Sequence, residues 1–246
     1  MKKISHLLKV SVAAICLAAA VPAVQAQTVF DFANLTNGNS SNFLPTNGVS
    51  CTGGDRCSAT KDSALTFESG TISVDALGWY KTDDEWKAAW VVQDHEGAYN
   101  GVQSGQNAIG AGLGVYRSLS NNADDNVTKN EKLQLHFNQA VILSAIGLRS
   151  DGHNTTSWSN GAEFKYSFDN STWYTAALPK NVGQFALTHT GQDLYLRYTG
   201  DDDKNSQFYL SSMTVAAVPE PETYAMLLAG LGMLGAVARR RKLPQA

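Results

Sequence analysis

Leu133-Gln134-Leu135-His136-Phe137, followed by Ala140-Val141-Ile142-Leu143-Ser144-Ala145-Ile146-Gly147-Leu148, decides the fold. In the first five residues apolar and polar side chains alternate with a period of two. That period puts the apolar set on one face of a strand and the polar set on the other. His136 therefore faces away from Leu135 and Phe137, toward solvent. Ala140–Leu148 is more apolar and reads as a second strand. Working outward, Ala64–Phe67 and Thr71–Ala76 alternate in the same way and join through Ser69-Gly70 as a hairpin. Short strands are expected at Ala88–Val92 and Leu113–Tyr116. Phe164, Tyr166 and Phe168 share a face, Asp169-Asn170-Ser171 turns the chain, and Trp173–Ala176 returns. Leu194, Leu196 and Tyr198 alternate again, and Gln207–Val215 closes the set. About ten short strands separated by Gly, Asn, Asp and Ser clusters predict an all-β fold, a single jelly-roll-like β-sandwich. Asp83–Glu96 is the one interval in which a short helix is expected.

The two ends of the chain read differently. Lys2, Lys3 and Lys9 precede or open an apolar run, Val10–Val21, which is followed by Pro22 and Val24-Gln25-Ala26. This is a secretory signal peptide over residues 1–26, with cleavage expected after Ala26. Cys16 lies inside the apolar run behind the bulky Ile15 and is not a lipid-attachment site. At the other end, Pro219-Glu220-Pro221 interrupts regular structure, because proline fixes φ and pushes its predecessor out of the α region. Tyr224–Ala238 then runs without a charge into Arg239-Arg240-Arg241-Lys242. An apolar segment closed by a basic cluster is a stop-transfer pattern, with the cluster left in the cytoplasm. A helix over 224–238 spans roughly 22 Å, against about 30 Å of hydrocarbon, so it would cross only by thinning the bilayer or snorkelling.

Between the ends lie residues 27–218, an ectodomain carrying 12 Lys and Arg against 20 Asp and Glu, a net −8. That charge argues against nucleic acid or anionic lipid as a partner and suits a hydrated exterior. After processing only Cys51 and Cys57 remain, and in an oxidising compartment their spacing predicts a small disulfide loop. No Gly-x-Ser-x-Gly elbow occurs and no two of the five histidines are spaced as ligands. Carboxylate pairs at Asp83-Asp84-Glu85 and at Asp94 with Glu96 are the sole material for a glycosidase, and they read as solvated acids, so no enzyme is expected. Calcium has better candidates in the oxygen-rich loops Asp124-Asp125-Asn126, Asp151-Gly152-His153-Asn154 and Asp201-Asp202-Asp203, though none has EF-hand spacing. No other cofactor is expected. Trp158, in a polar loop, is the candidate stacking platform for a sugar.

Residues 219–246 carry a resemblance. The order Pro219-Glu220-Pro221, short small-residue-rich helix, Arg239-Arg240-Arg241 at the extreme C-terminus resembles the PEP-CTERM sorting signal. That resemblance implies a Gram-negative bacterium that makes exopolysaccharide, and recognition of the tail by an exosortase, a membrane-embedded protease-like enzyme. The chain would then pass transiently through the inner membrane to the cell surface or extracellular matrix. Its function would be a structural or interaction role associated with exopolysaccharide, with a glycan-binding adhesin as the alternative and a surface glycoside hydrolase behind it. Gly110-Ala111-Gly112-Leu113-Gly114-Val115 with Asp124-Asp125-Asn126 looks like a segment recurring in exosortase-dependent surface proteins. These glycines serve tight turns and close packing rather than a phosphate loop, since Asn and Asp follow instead of a helix. Tyr166-Ser167-Phe168-Asp169-Asn170-Ser171-Thr172-Trp173 is similar to a hairpin of jelly-roll and discoidin-like sandwiches, many of which bind glycans; its tryptophan is expected in the core.

Overall fold

The structure is a computed structural model that describes residues 26–33, 45–47, 51–52, 56–58, 63–94, 111–117, 126–150, 163–178, 183–198, 207–218 and 221–241. Twelve strands and one helix occur among them. In chain order the strands are β1 (Thr28–Asp31), β2 (Cys51–Thr52), β3 (Arg56–Ser58), β4 (Leu65–Ser69), β5 (Ile72–Thr82) and β6 (Glu85–Asp94). There follow β7 (Gly112–Tyr116), β8 (Glu131–Ser150), β9 (Glu163–Ser167), β10 (Tyr174–Ala177), β11 (Gln184–Tyr198) and β12 (Phe208–Ala217), then the helix α1 (Pro221–Arg241). The all-β expectation holds for the described residues between 27 and 218. The arrangement is not two separate sheets, however. β5, β6, β7 and β12 pair in succession, and both β5 and β12 pair with β8, so the sheet closes on itself as a small barrel.

Closure depends on β8 being one strand of 20 residues, where the sequence suggested two. Its first part lies beside β5, from Glu131↔Tyr80 to Phe137↔Val74. Its second part lies beside β12, from Val141↔Ala217 to Ser150↔Phe208. β11 follows β8 along both parts. A single strand therefore joins two strands that never pair with each other. Its alternation also changes phase. Leu133, Leu135, Phe137, Val141 and Leu143 are buried at odd positions, then Ile146 and Leu148 at even ones. The change falls where Leu143 pairs with Val215 but Ala145 pairs with Thr214, leaving Ser144 as the extra residue of a bulge. The Ser144 hydroxyl donates to the Thr214 carbonyl at 3.2 Å, which satisfies that oxygen at the break in the ladder. A one-residue shift moves inward side chains outward, so this bulge keeps apolar side chains inside on both arms.

The hairpins are set by turn chemistry. Gly70 (φ 62) turns β4 into β5 as expected. Asp83 (φ 50) and Asp84 (φ 64) turn β5 into β6, with Thr82 facing Glu85. Two consecutive positive φ angles are the signature of a type I′ turn. As far as Asp94, the interval suggested as a helix is therefore a turn and a strand, because two aspartates occupy backbone conformations usually filled by Asn-Gly. The β9–β10 connection is wider than a two-residue turn, since Tyr166 pairs with Tyr174. Asp169 organises it, accepting from the N–H groups of Ser171 (2.8 Å) and Thr172 (2.7 Å) and from the Thr172 hydroxyl (2.9 Å). The Thr172 and Ser171 N–H groups, with that hydroxyl, hold the Asp169 carboxyl well below the usual range.

Inside, Phe30, Phe32, Phe67, Phe137, Phe164 and Phe208 are buried with the leucines and valines of β4–β8, β11 and β12. Phe32 meets Phe67 edge to face at 4.9 Å, and the buried Gln93 amide donates to the Phe32 carbonyl at 2.9 Å. β12 sits beside β1, β7 and β8, so the last strand in sequence is central in space.

Candidate functional site

Ahead of the Ser144 bulge, the even-numbered residues of β8 and their neighbours form the outward face of the sheet. Register lines them up in rows across β5, β8, β11 and β9. One row is Trp79–Lys132–Arg197–Lys165, and the next is Leu77–Gln134–Tyr195–Ser167. The Lys132 ammonium lies 4.5 Å from the Trp86 ring centre and 5.5 Å from those of Trp79 and Tyr195. It donates to the Asn170 side-chain carbonyl at 3.0 Å. The Arg197 guanidinium lies 4.9 Å from the Trp86 ring centre and 4.7 Å from that of Trp173. Cations over indole faces are attracted by the ring quadrupole, more so where water is excluded. Trp79 Nε1 donates to Gln134 Oε1 at 2.9 Å, fixing the indole plane beside Lys132.

Lys132 is 3% exposed, and burial, aided by the positive charge of Arg197, pushes its pKa down to about 8. The sign of the consequence follows. Below pH 8 folded and unfolded chains both carry the proton, and the folded state bears the desolvation cost in full. Between about 8 and 10.5 only the unfolded chain keeps it, so this group makes stability rise with pH. Lys132→Met, of similar length and without charge, should remove that rise. Thermal melts of both proteins at pH 7 and pH 10 test it: the difference between them should move in favour of the wild type at the higher pH. A difference that stays constant would show that Lys132 has an ordinary pKa.

Sequence reasoning singled out His136 on this face but not the cluster. His136 is exposed as expected, its Nδ1 2.9 Å from Asp193 Oδ1. Trp173 was expected in the core and is instead half-buried on the outward face under Arg197. The alternation of β8 marks Lys132 and Gln134 as outward-facing, but their aromatic partners come from β5, β6 and β11. Only register brings these together.

The sequence-predicted sites fall elsewhere. Trp158, Asp124, Asp125, Asp151–Asn154, Asp201, Asp202 and Asp203 lie outside the described residues. Asp83 and Asp84 form the β5–β6 turn, where the Lys81 ammonium at 2.8 Å lowers the Asp84 pKa. Glu96, the partner proposed for Asp94, lies outside the described residues. Among the described residues no three of His, Cys, Asp and Glu group as metal ligands.

Cys51 and Cys57 face each other as direct partners across β2 and β3, two strands joined at the edge of β6. Opposed residues of an antiparallel pair have Cα atoms about 4.5–5.5 Å apart, inside the range that a disulfide spans. The exported protein should therefore contain no alkylatable thiol under native, non-reducing conditions, as read by mass spectrometry. Recovery of two alkylated cysteines would refute the bridge.

At the C-terminus, the Val218 N–H donates to the Ala140 carbonyl at 3.2 Å, and three residues beyond Val218 the chain begins α1. α1 extends past the expected 224–238 at both ends. Its large apolar side chains are exposed all round, Met226 (74%), Leu228 (67%) and Leu234 (68%) among them. Among the described residues no helix is long and apolar enough to cross a membrane. The uncharged part of α1 is only the sixteen residues between Glu222 and Arg239. A basic end, an all-apolar body and a proline-bounded start mark a segment with its own destination. The PEP-CTERM protein-sorting motif matches residues 217–242. The PEP-CTERM motif covers about a tenth of the chain, and it supports an exported surface protein that is sorted by an exosortase. It begins at Ala217, the last residue of β12, so strand and sorting signal are contiguous. No curated protein matches the chain.

Proposed function

We propose that this chain is a non-enzymatic surface or matrix protein that associates with exopolysaccharide. Its signal peptide directs export, α1 holds it transiently in the inner membrane, and an exosortase processes the PEP-CTERM tail. The β-barrel ectodomain is what the process delivers. The observation that carries this reading is the sorting motif fused without a spacer to the central strand of an acidic β domain. A net −8 keeps such a domain soluble and hydrated among polysaccharide chains. In α1, Ala225, Ala229, Gly232 and Ala236 supply small-residue faces on which another helix can approach closely, as a substrate handed to a membrane enzyme requires. The test is affinity electrophoresis of the full-length protein, in detergent, through gels containing exopolysaccharide purified from the producing cells. Retarded migration is expected; unchanged migration at every polymer concentration would end the association.

A glycan-binding adhesin is the second reading, favoured by one observation. Trp79, Trp86, Trp173 and Tyr195 gather on the outward face of the sheet, half-buried, where aromatic rings can also take the C–H face of a sugar. A surface hydrolase has less support, since Asp83 and Asp84 serve a turn.

A further inference from the structure

We propose that the outward face around Arg197 binds a carboxylate-bearing, uronate-type polysaccharide, with Arg197 and Lys165 as its contacting cations, the buried Lys132 behind them adding positive charge, and Trp86 and Trp173 as its stacking walls. The proposal rests on the exopolysaccharide reading and names the chemical class and the site.

Three observations carry it. First, register sets Lys132, Arg197 and Lys165 side by side on three adjacent strands. Neighbouring strands lie about 4.8 Å apart, so three cations follow one another over roughly 10 Å. This is a basic stripe on a domain of net charge −8, and like charges drawn together on an otherwise acidic surface call for an anion. Second, the acid of the adjoining turn is already committed. Asp169 accepts from the Ser171 and Thr172 N–H groups and from the Thr172 and Ser167 hydroxyls, and does not reach across to Arg197. Among the described residues the Arg197 side chain makes no ion pair or hydrogen bond, and it lies against two indole rings. A guanidinium set against two indole rings, with no side-chain acceptor among the described residues, keeps its N–H donors for a planar acceptor, and a carboxylate takes two of them at once. Third, the half-buried Trp173 and Trp86 flank that guanidinium. A carboxylate on Arg197 therefore brings its own sugar ring against an indole. A polymer with one carboxylate per sugar can address Arg197 and Lys165; a neutral polymer leaves both unanswered. An acidic peptide would satisfy the charges but supplies no ring to stack.

The experiment is affinity electrophoresis of the full-length protein in detergent against polygalacturonate, dextran and polyglutamate, alongside the exopolysaccharide gel described above. Polygalacturonate should retard the protein and dextran should not. Arg197→Gln should weaken the polygalacturonate effect about tenfold or more, as expected for a charge-assisted bidentate contact. Arg197→Lys should recover only part of it. Lys165→Gln, further out on the stripe, gives the same direction with a smaller effect, and serves if Arg197→Gln does not fold. The proposal is overturned if polygalacturonate has no effect, if dextran acts equally, or if both variants behave as wild type. Equal retardation by polyglutamate overturns the saccharide class in favour of acidic peptide. Failure with polygalacturonate while native exopolysaccharide still retards the protein sinks this site alone. Failure with both sinks the reading beneath it.

Discussion

Replacing Pro219, Glu220 and Pro221 with alanine should leave export intact and trap the precursor in the inner membrane with Arg239–Lys242 still attached. β12 ends at Ala217 and α1 begins at Pro221, so three residues separate a barrel strand from the helix. At no more than about 3.6 Å each, they reach only some 10–14 Å. An enzyme in the bilayer must engage that short span, and two prolines keep it from joining the helix and retracting from reach. Alanines, as the best helix formers, would extend α1 toward Val218 instead. Deleting Arg239–Lys242 should act in the opposite sense and impair retention, since no basic cluster then stops transfer. The deciding measurement is the C-terminal peptide of the mature protein, read by mass spectrometry with and without the exosortase. If Arg239–Lys242 persist on the surface form in both strains, the tail is a plain anchor.

Gly112→Ala should destabilise the ectodomain more than other glycine substitutions, by about 3–5 kcal/mol. At about 2–4 °C per kcal/mol for a domain of this size, that lowers the melting point by roughly 10 °C or prevents folding. Two effects combine. Gly112 has φ 114, which side-chain-bearing residues rarely adopt. A Cβ there would also overlap the Leu210 carbonyl oxygen and lie 2.7 Å from the Leu210 carbonyl carbon and from Ser211 Cα. These are backbone atoms of the central strand β12 and cannot swing aside. Gly70→Ala separates the two effects, because Gly70 has φ 62 but nothing within 4 Å of its Cβ position. It should cost only the left-handed strain of about 1–2 kcal/mol. Melting curves of the two variants decide the matter. Equal losses would mean that φ alone matters at Gly112, and a Gly112→Ala protein within 2 °C of wild type, about the shift of 1 kcal/mol or less, would remove the close approach altogether.

Much of this protein is determined by local sequence. Period-two alternation in Leu133–Phe137 and Leu194–Tyr198 fixes strand identity and says which side chains face inward, because the pleat has no other period. The sorting signal is legible for the same reason. Proline punctuation, an uncharged run and an arginine cluster act through local chain properties, and no fold is needed to see them. The tertiary structure decided what depends on partners distant in sequence. The bulge at Ser144, the joining of two expected strands into β8 and the closure of the sheet all arise from β12 and β11 lying against β8. No periodicity announces a phase change that a neighbouring strand imposes. The Asp83-Asp84 turn escaped notice because aspartate seldom takes positive φ twice in succession. Lys132, Arg197, Trp79, Trp86 and Trp173 come from four strands and a turn and are scattered over more than a hundred positions of sequence. They share a face only because register aligns β6, β5, β8, β11 and β9, and register is set by backbone pairing and turn length rather than by any one of the residues it brings together.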